Sequence, residues 1–231
     1  MNPMQVLEWI APRRCVGCGM PMSLGGMNPY PLCGSCEAGL VRIAGARCEK
    51  CGKELISELR VCWECRQTVH VCARVLPLFR YRGFEAELIR TYKMAGRHSL
   101  APLFGRLMAA EIQKNMARFC IVPVPPRREK ILSGETDQVE CMARFLERDG
   151  FQVQRLLVRN STLQQKKLSR KDRKENAAAA YALDLRGDGA CPDKVVLIDD
   201  VYTTGATLDA CASALFSGGT AEVAAIVLAA D

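Results

Sequence analysis

Eight of the thirteen cysteines fall in four pairs with two residues between partners: Cys15/Cys18, Cys33/Cys36, Cys48/Cys51 and Cys62/Cys65. A two-residue gap lets one tight turn aim both thiolates at one metal ion, and the neighbouring Gly17, Gly19, Gly34 and Gly52 supply the backbone angles such turns need. Two knuckles of this kind complete a tetrahedral four-thiolate site, so four make two sites. With no ligand position left for water, these sites are structural rather than catalytic. Pairing in sequence order leaves 14 and 10 residues between knuckles; an interleaved, cross-braced pairing also stays open on sequence alone. Two zinc ions are the expected occupants. The competing uses of such cysteines are disulfides, disfavoured where thiols stay reduced, and an iron–sulfur cluster, which the ribbon spacing disfavours.

A second cluster of chemically capable residues lies near the carboxyl end. Four apolar residues, 195–198, lead into Asp199 and Asp200, then Val201 and Tyr202, then Thr203-Thr204-Gly205-Ala206-Thr207. A strand delivers the acids to its carboxyl end, where open α/β sheets take ligands. Residues 203–207 form a tight turn opening a helix, so free backbone N–H groups and threonine hydroxyls converge on an anion. Gly205 lets the backbone approach a phosphate closely. Asp199 and Asp200 suit adjacent ribose hydroxyls and can assist Mg2+ through water. A simple capped strand–turn–helix is the plain alternative. Upstream, Val122-Pro123-Val124-Pro125-Pro126 ends a strand in a stiff loop, and Arg127 and Arg128 follow it with charge-assisted donors suited to pyrophosphate.

The elements that must position these groups differ between the two parts of the chain. Nine cysteines lie between Cys15 and Cys72, in a Gly- and Pro-rich stretch with little capacity for a core of its own. The expected division is residues 1–70 as a double zinc ribbon and 71–231 as an α/β domain. In the second part strands are expected at 75–81, 119–124, 153–158, 194–198 and 221–228, and helices at 84–94, 99–116, 135–148 and 206–216. This alternation predicts a mainly parallel sheet with helices on both faces.

Composition narrows the function classes. The hydrophobic and charged fractions, 49% and 25%, are those of a globular protein. A net charge of +7 permits phosphate-rich partners without requiring one. The longest apolar run, 223–230, is far shorter than the roughly 20 residues of a spanning helix, and the first ten residues lack the features of a secretory signal. No membrane insertion and a cytoplasmic location are therefore expected. Between Arg155 and Glu175 eight Lys or Arg face two acids: Arg155, Arg159, Lys166, Lys167, Arg170, Lys171, Arg173 and Lys174. Such a stretch suits a lid over phosphates, a nucleic-acid backbone or a solvated surface. His70, His98 and Trp9 carry little signal. Trp63 lies inside a knuckle.

The Asp-Asp-Val-Tyr-Thr-Thr-Gly-Ala-Thr segment resembles the phosphoribosyl pyrophosphate (PRPP) signature of type I phosphoribosyltransferases. Together with the four cysteine pairs, Phe79-Arg-Tyr-Arg-Gly83, Tyr92-Lys-Met-Ala-Gly96, Val122-Pro-Val-Pro125, Gln165 with Leu168, and Arg173 with Asn176, it makes nearly the whole chain resemble the ComF family of ComFC- and GntX-type proteins. The chain departs from the family where an Arg-Gly-Phe-Asn-Gln segment is usual. Here Ser133-Gly-Glu-Thr-Asp-Gln138 stands, and only Gly134 and Gln138 fit.

The resemblance implies a type I phosphoribosyltransferase-like fold behind a double zinc ribbon, PRPP with Mg2+ as ligand, and a role in DNA uptake and natural transformation. It also implies partners among single-stranded DNA and helicase-type competence proteins. An enzyme of this kind would transfer a phosphoribosyl group, with Asp199 and Asp200 at the ribose, residues 203–207 at the 5-phosphate, and Arg127 and Arg128 at pyrophosphate. A non-catalytic single-stranded-DNA-binding factor and a PRPP-sensing regulator are the alternatives.

Overall fold

The computed structural model describes residues 13–22, 29–55, 59–94, 96–126, 134, 136–159, 180–184 and 190–231. Its centre is a sheet of four parallel strands in the order β1 (Arg74–Arg80), β6 (Glu222–Ala230), β5 (Lys194–Tyr202), β2 (Cys120–Pro123). Because side chains alternate across a strand, each central strand feeds two cores. Val196 and Ile198 of β5, with Ala224, Ile226 and Leu228 of β6, enter one cluster; Val195, Leu197, Val223, Ala225 and Val227 enter the other. Both faces are buried, which is why β5 and β6 read as unbroken apolar runs rather than as alternating ones.

The first cluster is roofed by α3 (Gly83–Met94), α4 (Ala101–Asn115) and α5 (Gln138–Arg148), which contribute Ile89 and Tyr92, Phe104 and Met108, and Met142 and Leu146. Asp137 caps α5 by accepting from the Glu140 N–H at 3.0 Å. The second cluster is covered by Leu208, Cys211 and Leu215 of α6 (Ala206–Ser217). A mainly parallel sheet with helices on both faces is thus what the chain forms, after a cysteine-rich part whose described residues include two one-turn helices, α1 (Gly34–Ala38) and α2 (Trp63–Gln67).

The cysteine-rich part is packed into both cores. Cys15 and Leu32 join the first cluster, and Cys48, Cys51, Cys65 and Cys72 the second. Between them runs the outer edge of β1. Ile43 N–H donates to Leu78 O at 3.1 Å, Val75 N–H to Lys50 O at 2.7 Å, and Arg47 Nη1 to Pro77 O at 2.7 Å. Residues 42–50 therefore occupy backbone groups that an edge strand would otherwise expose. At the opposite edge residues 152–154 do the same for β2, with Ile121 N–H donating to Gln152 O and Gln154 N–H to Ile121 O, each at 2.9 Å.

One expected strand differs. Of 153–158, Val153 makes only an isolated bridge to Ile121. The chain then leaves the main sheet and forms β3 (Leu157–Arg159), antiparallel to β4 (Tyr181–Leu183), in a separate two-stranded sheet. Three residues are too few for a period to show in sequence. At β5 the strand runs on to Tyr202 instead of ending at 198, so Asp199 and Asp200 lie within it, with Asp199 in register with Val227 of β6.

Candidate metal centres and phosphate cradle

The sulfurs of Cys15, Cys18, Cys33 and Cys36 lie within 4.8 Å of one another, and so do those of Cys48, Cys51, Cys62 and Cys65. The pairing is therefore sequential. The Cys18–Cys33 and Cys51–Cys62 Sγ separations of 3.8 and 3.7 Å match the edge of a tetrahedron, roughly 3.8 Å for Zn–S bonds of about 2.3 Å. The two sites are built alike. Gly19 N–H donates to Cys15 O and Gly52 N–H to Cys48 O, while Cys33 N–H points at Cys15 Sγ (3.2 Å) and Cys62 N–H at Cys48 Sγ (3.4 Å). After Cys33 and Cys62 the chain turns into α1 and α2, which present Cys36 and Cys65.

The donor set fits a dication. Burial pushes the Cys15 thiol up, but the N–H groups of Cys33, Cys18 and Gly17 outweigh it and bring it down to about 6. Cys48 falls likewise to about 6, against burial, through the N–H groups of Cys62, Cys51 and Lys50. Burial and the neighbouring sulfurs push Cys36 and Cys51 up. A zinc ion supplies the charge that lets all four thiolates coexist.

Gly52 has φ +68°, and a β-carbon there would lie 2.4 Å from both Val75 O and the Pro77 side chain. The second knuckle can sit against β1 only because that residue is glycine.

Asp199 and Asp200 lie near the carboxyl end of β5, and the Thr-Thr-Gly turn follows the strand into α6. Asp199 Oδ1 accepts from the Asp200 N–H at 2.8 Å, and Asp200 Oδ1 from the Val201 N–H at 2.7 Å. Asp200 Oδ2 meets Lys93 Nζ, at the end of α3, at 2.8 Å. Desolvation, then the adjacent Asp200 carboxylate, hold Asp199 well above the ordinary carboxylate range, with Lys93 pulling the other way. Gly205, the N-cap of α6, has φ +81° and no side chain to cap the helix, and among the described residues Ala206 N–H meets only Thr204 Oγ1, at 3.5 Å. Thr203, Thr204, Ala206 and Thr207 are exposed. The first turn of α6 thus faces outward with its donors and three hydroxyls. Arg127, Arg128 and six of the eight basic residues of the 155–175 stretch lie outside the described residues. The two that are described are engaged: Arg155 with Glu140 and Glu147, Arg159 with the Tyr181 hydroxyl at 3.0 Å.

Residues 6–74 match the double zinc ribbon domain. The amino-terminal part is a double zinc ribbon. The chain is also similar over most of its length to the competence protein ComFC of Streptococcus pneumoniae, with 28% identity over 83% of this chain and 84% of that one. The DNA utilization protein YhgH of Escherichia coli is 27% identical over 92% of this chain and 94% of its own. These relatives bear out the ComF resemblance. Among solved structures, hypoxanthine phosphoribosyltransferase from Trypanosoma cruzi aligns over 56% of this chain and 65% of that one, at 12% identity and a TM-score of 0.34, a score that carries no argument about the site.

Several residues to which sequence reasoning gave no role at the site support the ribbon and the cradle. His70, just past the last ribbon cysteine, is no spare ligand: its Nδ1 lies 2.9 Å from Asp209 Oδ2 of α6. Asp209 Oδ1 also accepts from the N–H groups of Val71 (2.8 Å) and Cys72 (3.0 Å), so the helix behind the cradle holds the end of the ribbon. Gln138, one of the two residues retained from the family segment, is buried; its Nε2 donates to Lys93 O at 2.6 Å, and Tyr92 Oη donates to Gln138 O at 2.6 Å. It positions the lysine that meets Asp200. Tyr181, from β4, accepts from Arg159 Nη1 at 3.0 Å and lies beside Thr207, which brings the small sheet up to the cradle. The family motifs around Lys93 and Gln138 were the available signals, and neither named the lysine's partner.

Proposed function

We propose that the cradle binds PRPP together with Mg2+, and that the chain serves DNA uptake in natural transformation, as the name of its ComFC relatives suggests. The observation that carries the first part is the placement of Asp199 and Asp200 near the carboxyl end of a parallel strand that leads, through residues 201–204, into an outward-facing, glycine-capped helix start. The helix end and the threonine hydroxyls take the 5-phosphate. The two carboxylates take the ribose hydroxyls and steady hydrated Mg2+ on the pyrophosphate.

Such a site supports phosphoribosyl transfer. The bond from the anomeric carbon to pyrophosphate breaks with its electron pair leaving on oxygen, a nitrogen of the acceptor forms the new bond, and that nitrogen sheds its proton. Catalysis would come from orientation and from stabilising the departing charge. Calorimetric titration of Mg2+–PRPP into the zinc-loaded chain tests the reading, and absence of binding at millimolar ligand overturns it. Pyrophosphate release in the presence of an acceptor separates an enzyme from a PRPP-sensing regulator.

A further inference from the structure

Among the described residues, Lys93 is the only cation paired with either acid of the cradle, and its ammonium meets no second acceptor. The side chain of Asp200 is 13% exposed and that of Lys93 44%, so the lysine reaches from the surface onto an acid that is nearly covered. Its backbone is anchored by the buried Gln138, the first residue of α5, whose Nε2 donates to Lys93 O. The ammonium can therefore shift by side-chain rotation alone, without the helix moving.

Both partners have hydrogen-bonding capacity to spare. An ammonium has three donors, and Asp200 takes one of them. A carboxylate has about four lone-pair sites, of which Asp200 gives one to the Val201 N–H and one to the lysine. Ribose hydroxyls can be accepted with Lys93 still in place.

The strand beside the acids lacks what the lysine has. β2 runs along β5 with Pro123 in register with Ile198, and Val124 N–H donates to Ile198 O at 3.1 Å. Pro123, Pro125 and Pro126 have no N–H to give. Residues 123–126 therefore flank the acids with no backbone donor left for an anion. Pyrophosphate, the most highly charged part of PRPP, needs cationic side chains there.

We propose that Lys93 is a pyrophosphate ligand of the PRPP site: Asp200 holds its ammonium in the empty cradle, and the ammonium meets the pyrophosphate when Mg2+–PRPP binds. This rests on the reading of the cradle as a PRPP site. With the ribose on Asp200, the cation stands next to the bond that breaks in transfer. The electron pair of that bond passes to the pyrophosphate oxygen, and Lys93 stabilises the growing charge by a hydrogen bond while keeping its proton.

The test divides the ligand. Mg2+–PRPP and ribose 5-phosphate, which lacks the pyrophosphate, are titrated by calorimetry into the full zinc-loaded chain, well above the pH interval in which Asp199 ionises. Lys93→Gln should weaken Mg2+–PRPP roughly 10- to 100-fold and leave ribose 5-phosphate unchanged. Lys93→Arg, which keeps the charge, should recover part of the loss. Asp200→Asn should weaken both ligands. The wild-type chain gives a second reading that no folding defect can blur: Mg2+–pyrophosphate should shield Lys93 from acetylation by acetic anhydride, read by mass spectrometry, more than ribose 5-phosphate does.

Equal losses of PRPP and ribose 5-phosphate in Lys93→Gln would reduce the lysine to a positioning residue for Asp200 and overturn the proposal. Unchanged PRPP affinity in that variant, or equal shielding by the two ligands, overturns it with the cradle left standing. A wild-type chain that binds no PRPP refutes the cradle itself, and the role of Lys93 with it.

Discussion

The ammonium of Lys93 stands 2.8 Å from Asp200 Oδ2 and joins the end of α3 to the strand that carries both acids. Asp200 thus has a cation beside it before any ligand arrives, while Asp199 has chiefly Asp200 itself for a neighbour. Replacing Asp200 by Asn keeps the size and removes the charge. Hydrogen bonds to charged groups contribute roughly 1.5–3 kcal/mol, so affinity for Mg2+–PRPP should fall by about one to two orders of magnitude. Titration calorimetry measures it, and an unchanged affinity would move the ribose site elsewhere.

Asp199 makes the site sensitive to pH. Its raised pKa means that the folded chain keeps a proton that the unfolded chain has already lost, so folding takes one up across that window. The stabilisation is therefore complete below the ordinary carboxylate range and fades as pH rises through the raised value. PRPP binding as proposed would use the ionised form and should strengthen over the same interval. Asp199→Asn should flatten the dependence of Tm on pH there. Lys93→Gln, which removes a cation that favours ionisation, should move the binding midpoint to higher pH. A midpoint that moves down, or not at all, contradicts this account.

Gly205 was expected to be glycine so that a phosphate could come close. The structure adds a different reason. At φ +81° a β-carbon would lie 2.8 Å from Tyr202 Oη and 2.9 Å from its ring. The left-handed backbone and the overpacking together should cost Gly205→Ala about 2–4 kcal/mol, or roughly 5–15 °C in Tm at this chain length. Gly205→Val should be worse, and both should weaken PRPP binding without loss of zinc. A thermally silent Gly205→Ala would mean that the turn relaxes freely.

The purified chain should carry two zinc ions by elemental analysis. Cys48→Ser should cost the second ion and, because Cys48, Cys51 and Cys65 share a cluster with β5, β6 and α6, lower the melting of the entire chain by at least about 10 °C. We expect one transition in calorimetry. A preserved second transition at the original temperature would show that residues 71–231 fold alone.

What the sequence disclosed was local. Cys48-x-x-Cys51 is a metal knuckle whatever surrounds it, and β5 and β6 announce themselves because both their faces are buried. The acids and the Thr-Thr-Gly turn are contiguous, so their meeting needed no tertiary knowledge. The sequential pairing of the knuckles, the Lys93–Asp200 contact and the His70–Asp209 clamp each depend on where distant segments land, and no spacing encodes that. Tyr181 escaped notice because its strand is three residues long. The exposure of Trp63 was open until the ribbon's seat on the sheet was known.

The β1 edge is closed by residues that the zinc knuckles hold in place, not by another strand of the sheet. Closure of that edge is thus conditional on the ion. A chelator or an oxidant that strips the second site need not unfold the sheet to do harm, since it uncovers a row of backbone donors and acceptors on a strand with a hydrophobic partner behind it. Chains caught in that state would pair with one another, edge to edge. Metal supply would then decide whether newly made chains stay separate, and zinc occupancy would act on solubility as well as on shape.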